Sequence, residues 1–450
     1  MITEKMAEFI VNTDFEQIEP QVIDIAKNAV LDFLGVTLAG SLENSSKLIA
    51  EYTKEEDSKP EAGVIGSGFK ASASIAALAN GTMAHSLDYD DACQSWPGHP
   101  AAVILPAVLA LGEKYRKPGK EILEAYLIGM EVGSKIGLAV GNHVRRIGWH
   151  TTGTIGSIAA ASAAAKLTRL DLQQVRTALG ISASLAAGLA QNFGTMTKPL
   201  HAGNGARNGV AAALLAGKGF SASQSIIEEK QGFCNVLSGA AEYELEVEQL
   251  GKPWDILATG ITFKPYPSCR GTHCAIDAAL TLRKEHHFNA VDIASVECII
   301  GPMQSQILLY PRPQTGLQGK FSLEYCAAIA LLEGKVQLEH FTNEYISRPQ
   351  VQELLSKITR TIPSGLDEAT LQHPQTVIVR LRDGEEYSHQ VNYEMSKGSP
   401  ENPMPLDELY SKYRECARLV LSPEQTEQAF SLISSLESLH DISELMKIVT

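Results

Sequence analysis

Apolar residues recur three and four positions apart through most of the chain before residue 260. VIDIAKNAVLDFLGVTLA, residues 22–39, shows the spacing, as do 101–113, 120–140, 154–167, 173–190 and 205–217. A stripe of this period is the buried face of an α-helix. In the last three segments Ala, Ser and Gly occupy the recurring positions, so these helices can bring their backbones close together. Alternating, strand-like patterning is almost missing from this part.

The texture then changes. AVDIASVECII (290–300) and QTVIVRLR (375–382) are β-branched and partly alternating, which predicts strands. Asp383-Gly384 after the second predicts a hairpin turn into EEYSHQVNY. FSLEYCAAIALLEG and NEYISRPQVQELLSKITR read as helices, and helical spacing returns from PLDELYSKYRECARLVL to the end. The expected fold is mainly α. A large helical domain, residues 1–264 and 396–450, is interrupted by a smaller α+β domain, residues 265–395. A length of 450 residues also favours two domains over one core.

Composition narrows the function. A formal net charge of −14 speaks against nucleic acid or an anionic membrane as partner. It leaves a small anionic substrate open, because a pocket can be locally basic. The 7 cysteines are scattered, without C-x-x-C, as expected of a reduced cytoplasmic protein. The N-terminus has acidic residues early and no long apolar run, unlike a signal peptide. The longest uncharged tract of the Ala-rich region, Thr151–Ala165, is too short and too rich in Gly, Ser and Thr to span a membrane.

Candidate chemistry gathers in five stretches. AHSLDYDDACQSWPGHP, residues 84–100, holds His85, Asp88, Asp90, Asp91 and His99. If a helix runs through Asp91, then His85, Asp88 and Asp91 share a face and Asp90 points elsewhere. Trp96-Pro97-Gly98 would then deliver His99 to the next helix start. A metal site through His85, Asp88 and Asp91 would need a fuller ligand set, because neither H-E-x-x-H nor a second acidic cluster is present. Acid/base or substrate-contact work fits better, and a capping role stays open. His150, in RRIGWHTTGTIG, stands at the entrance of an Ala-rich helix, where free N–H groups attract anions. It reads equally as a neighbour of the cap.

Lys198, His201 and Arg207 lie within QNFGTMTKPLHAGNGARNG. Cations on so small-residued a background are costly to bury without an anion, which suggests a carboxylate-binding wall. A polar loop over the core is the alternative. Lys264, Arg270 and His273 in FKPYPSCRGTHCAID fall where the composition changes, and a domain junction is a common place for a pocket. YPRPQTGLQGKFSLEY adds Tyr310 and Lys320.

The ordered set HSLDYDD, GHP, GWH, GTMTKPLHAG, FKPYPSCRGTH, KFSLEY and KGSPENPM resembles the MmgE/PrpD family over essentially the whole chain. That family includes 2-methylcitrate dehydratase, cis-aconitate decarboxylase and iminodisuccinate epimerase. The resemblance implies a helical large domain, an α+β lid domain, a pocket between them, and a homodimer, with no metal and no organic cofactor. It implies a small anionic carboxylate as substrate, and Asp88, His99, His150, Lys198, His273 and Tyr310 as catalytic residues. His201, Arg207, Lys264, Arg270 and Lys320 would assist in binding. A lyase of the 2-methylcitrate dehydratase kind is the first expectation, with epimerase and decarboxylase as alternatives. A metal-dependent hydrolase and a non-catalytic ligand-binding protein are remoter ones. After D-Y-D-D the decarboxylase pattern has Thr, where this chain has Ala92, and the loop from Asp88 to His99 is one residue longer. That longer spacing with G-H-P, together with NFGTMTKP and YPSC, looks more like the epimerase branch.

Overall fold

Where the sequence spaces small residues helically, two helices cross almost backbone to backbone. Ala73–Ser86 and Thr197–Gly217 meet at Gly81 and Gly203, where a Cβ on Gly81 would lie 2.8 Å from the Gly203 Cα. A Cβ on Gly203 would lie 2.1 Å from the Leu78 carbonyl oxygen. Glycine is the residue that fits at such a crossing. The computed structural model describes residues 1–239, 242–366 and 373–450.

Two units make up the chain. The first contains Met1–Gln191, Met196–Phe263 and Pro405–Thr450, and the second Asn192–Thr195 and Lys264–Met404. The first is a helical body around a large apolar core. Thr151–Leu167 lies within it, buried on nearly every side, and packs on Pro100–Tyr115, Gly119–Ile136 and Thr197–Gly217. A helix apolar all round belongs in a core. Pro20–Gly40 packs against Leu406–Ala417, a helix from the last part of the chain, which ties the early and late segments together. Two small strand pairs decorate this unit, Ala62–Val64 with Phe69–Ala71 and Ala92–Cys93 with Ile261–Thr262. Among the described residues, no helix is long and apolar enough to cross a membrane.

The second unit is α+β. Its sheet runs in the order Ile358–Thr361, Ile293–Ile299, Gln375–Leu381, Glu386–Val391, the first pair parallel and the others antiparallel. Along Gln375–Leu381 buried and half-buried positions alternate, as a strand with one covered face requires. The helices His273–His286 and Leu323–Glu333 pack on each other and on the sheet.

Three details depart from the sequence reading. Residues 358–361, read as helix, form a strand, because Pro349–Ser356 ends the helix and the β-branched Ile358, Thr359 and Thr361 follow. The return to the helical unit comes at Pro405 rather than 396: the Lys397 N–H donates to Asp277 at 2.8 Å and Arg270 donates to the Tyr393 carbonyl at 3.1 Å. Asn192–Thr195 belongs to the second unit, where the Phe193 ring packs 5.9 Å from Phe321.

Candidate active site

The helix Ala73–Ser86 ends one residue after His85, and Asp88 then takes a left-handed φ of 51°. That turn breaks the helical register. Asp90, not Asp88 or Asp91, comes against His85, its Oδ2 2.8 Å from the imidazole Nδ1. The same oxygen lies 3.2 Å from Nδ1 of His99, and the Asp91 carbonyl accepts from that Nδ1 at 2.7 Å. The two rings are 4.3 Å apart, centre to centre. Asp88 turns the other way and accepts from Lys198 Nζ at 2.5 Å, both side chains buried. Asp91 takes the Ala101 N–H at the start of Pro100–Tyr115 at 3.2 Å and so caps that helix.

A tryptophan anchors the loop between. Trp96 is fully buried, and a Cβ on Gly137 would lie 2.0 Å from its own Cβ. Cys93 N–H donates to the Gly98 carbonyl at 3.2 Å, closing the loop and presenting His99 at the next helix start. His150 begins Thr151–Leu167 as its N-cap residue. Thr152 Oγ1 accepts the His99 N–H at 3.1 Å, and Thr151 Oγ1 donates to the Pro97 carbonyl. These stitches hold the two helix starts together, with His99 and His150 rings 6.4 Å apart. On the far side, His150 Nδ1 lies 3.1 Å from His201 Nδ1. Gly188, at φ 132°, leaves room for that ring, since a Cβ there would lie 3.1 Å from His201 Cγ.

Charge states separate sharply. Burial, with the Lys198 charge and neighbouring imidazoles adding to it, holds His150 well below the ordinary histidine range. Burial likewise takes His85 to about 4, Asp90 opposing it, and takes His201 to about 4 with help from His85 and Lys198. The structure keeps His150 and His201 neutral, because they are buried beside a cation. Desolvation raises Asp90, but the charges and hydrogen bonds of His85 and His99 outweigh it and hold its carboxyl well below the usual range. Asp91, one residue on, is pushed well above it by burial and by the neighbouring Asp90 and Asp32. Adjacent carboxyls are thus pushed in opposite directions, a pattern found at acid/base sites.

His85, Asp90 and His99 are the described residues whose ligand-type atoms cluster, all within 4.8 Å. The imagined set of His85, Asp88 and Asp91 is not assembled, because Asp88 is turned to Lys198 and Asp91 to a helix cap.

The stretch 198–207 is helical rather than a loop, so its cations diverge. Lys198 and His201 face the cluster. Arg207 does not: it donates to Asn204 at 2.5 Å on its own helix, and its charge reaches Tyr52. In the second unit His273 opens His273–His286, fully buried, its Nε2 3.3 Å from the Ser268 carbonyl and its ring edge-on to Tyr266. Arg270 stacks on Tyr393 at 4.6 Å, and its Nη1 finds no partner among the described residues. Lys264 is buried, as is Lys320, whose ammonium sits 5.3 Å from the Phe341 ring centre. Tyr310 donates to the Phe193 carbonyl at 3.0 Å, lying where a Cβ on Gly194 would come within 2.4 Å of its ring.

Sequence reasoning missed two supports. Asp90 is one, hidden by the assumption of an unbroken helix. Lys412 is the other: it pairs with Asp32 at 2.7 Å and donates to the Tyr89 carbonyl at 2.8 Å, holding the D-Y-D-D turn from the helix Leu406–Ala417. No local spacing reports a contact between residues so far apart in the chain.

Residues 4–246 match the MmgE/PrpD N-terminal domain and residues 266–438 the MmgE/PrpD C-terminal domain. The chain belongs to the MmgE/PrpD family. Within known members it is similar to the cis-aconitate decarboxylase of Homo sapiens, 29% identical over 99% of this chain and 93% of the relative. The cis-aconitate decarboxylase of Mus musculus is 28% identical over 100% of this chain and 93% of that protein. A mitochondrial 2-methylcitrate dehydratase of Yarrowia lipolytica is 24% identical over 79% of this chain and 71% of its own length. The MmgE/PrpD relatives are thus lyases, and the MmgE/PrpD architecture, a helical unit with a smaller α+β unit, is the one described above.

Proposed function

We infer that this chain is a cofactor-independent lyase that moves a proton at a carbon next to a carboxylate, on a small di- or tricarboxylate. The observation that carries this reading is the buried gathering of His85, His99 and His150 around the reach of Lys198. A proton next to a carboxylate is weakly acidic, so an enediolate-like anion must be stabilised as the proton leaves. Fixed cations and donors do this best where water is excluded. His99 and His150 are assigned the proton transfer, the work imidazoles most often do. Lys198, paired with Asp88, is assigned to the substrate carboxylate. We also assign His273, Arg270, Lys264 and Lys320 to carboxylate binding, and Tyr310 to a proton or hydrogen bond.

No metal enters this step. In this reading Asp90 serves the imidazoles instead, its Oδ2 lying 2.8 Å from His85 Nδ1 and 3.2 Å from His99 Nδ1. Expulsion of a β-hydroxyl gives dehydration, as in the relative named a dehydratase. Loss of a β-carboxylate gives CO₂, as in those named decarboxylases. A second reading, reprotonation on the opposite face by an epimerase, is favoured by the longer spacing from Asp88 to G-H-P together with NFGTMTKP and YPSC. A homodimer is the assembly we assign.

The test is incubation in heavy water with chelator present, against 2-methylcitrate, citrate, cis-aconitate and amino- or imino-dicarboxylates, read by proton NMR. Exchange or conversion is expected, and the product separates lyase from epimerase. Silence across the panel, with activity restored by a divalent metal, overturns the metal-free reading.

A further inference from the structure

Asp90 touches two imidazoles through one oxygen, and no part of the proton chemistry above assigns it a role. The Asp91 carbonyl can only accept, so the His99 Nδ1 at 2.7 Å must carry its proton toward it. That leaves Nε2 of His99 with the lone pair. His85 is held in the same tautomer, because an ionised Asp90 also only accepts. Which nitrogen of an imidazole is free is set by the bond the other one makes.

We propose that Asp90 is a positioning residue: its buried carboxylate locks His85 as the Nδ1–H tautomer, stands beside the Asp91 carbonyl that does the same for His99, and faces the positive charge that forms when His99 takes a proton at Nε2. In that step the C–H bond breaks and its electron pair stays on the substrate as the enediolate. The proton bonds to the Nε2 lone pair, and the imidazolium so formed lies 3.2 Å from Asp90 Oδ2. Burial is what makes this partner effective, since a charge pair interacts more strongly where the dielectric is low. His85 adds rigidity. Its ring is buried, lies 4.3 Å from the His99 ring and meets the same Asp90 oxygen, so the carboxylate is held from two sides.

The proposal rests on the proton-transfer reading of His99, and its test separates the two. Protein labelled with ¹⁵N-histidine is examined by NMR in wild type and in Asp90→Asn, which keeps the shape and removes the charge. In wild type both His85 and His99 are expected to show a pyrrole-type Nδ1 and a pyridine-type Nε2. In the variant His85 is expected to lose that single pattern, and kcat to fall at least tenfold with KM changed less than threefold. This spectrum needs no substrate, so a protein silent on every acid tested defeats the functional reading while leaving the tautomer measurement decisive. Wild-type kcat in folded Asp90→Asn overturns the proposal. So does an Nε2–H tautomer of His99 in wild type, which can be read even if the variant does not fold. One equivalent of bound divalent metal that perturbs both imidazoles overturns it too.

Discussion

Lys198 donates to Asp88 at 2.5 Å, joining the first helix turn after Met196 to a backbone turn 110 residues earlier. Both side chains are buried, so neither charge is tolerable alone. Lys198→Met should therefore destabilise the protein by roughly 3–5 kcal/mol, the usual cost of stranding one member of a buried pair. Adding Asp88→Asn should recover most of that loss in chemical denaturation. Neither variant should recover turnover. Additive losses in the double variant would show that the two residues do not act as a pair.

His150 separates chemistry from folding. Its side chain makes no capping bond to its helix, and its ring is bonded to His201. His150→Ala should cost about 1 kcal/mol through that bond. Turnover should fall by roughly 10²–10⁴, the range for a proton-transfer group. A wild-type rate in the folded variant would remove His150 from the mechanism.

The pH dependence of His201 has a definite sign. Burial and the charges of His85 and Lys198 take it to about 4, against an ordinary 6.5. Between these values the unfolded chain holds the proton and the folded chain does not. Its contribution is therefore complete above about 6.5 and is lost as pH falls toward 4. His201→Asn lacks this term. The variant should be less stable than wild type at pH 7.5, and the gap should narrow by pH 4.5 in parallel denaturation curves. A gap that widens on acidification would contradict the burial assigned to this ring.

Much of this arrangement could be read from residues alone, and the remainder has physical reasons for staying hidden. Helical spacing disclosed Pro20–Gly40, Pro100–Tyr115 and Thr151–Leu167 because their apolar faces repeat locally. The hairpin after Leu381 announced itself through Asp383-Gly384, with Gly384 at φ 96°. Asp90 was hidden because one left-handed residue, Asp88, resets which side chains share a face. The pairing of His150 with His201 and of Lys412 with Asp32 depends on how helices cross, which periodicity does not encode. Arg207 shows the converse: nearness in sequence on a helix separates side chains as readily as it groups them.

Gly203→Ala tests the crossing itself. The added methyl would meet the Leu78 carbonyl and Thr82, so the helices must part. Overpacking of this kind costs roughly 1–3 kcal/mol. Turnover should fall although position 203 contributes no reactive atom, and a crystal structure should show Lys198 displaced from Asp88. An unchanged structure would mean that the crossing has slack.

That crossing also sets how quiet the reacting groups are. Gly81 stands four residues from His85, and Gly203 two from His201 and five from Lys198. At 1.5 Å per residue these are lever arms of only about 3–8 Å. A helix rocking by 5° about the glycine fulcrum moves the end of such an arm by roughly 0.3–0.7 Å. A bulkier pivot would set the axes farther apart and lengthen every arm reaching across. Two missing side chains thus act as the bearing of the machine, damping tremor where donor and acceptor must meet.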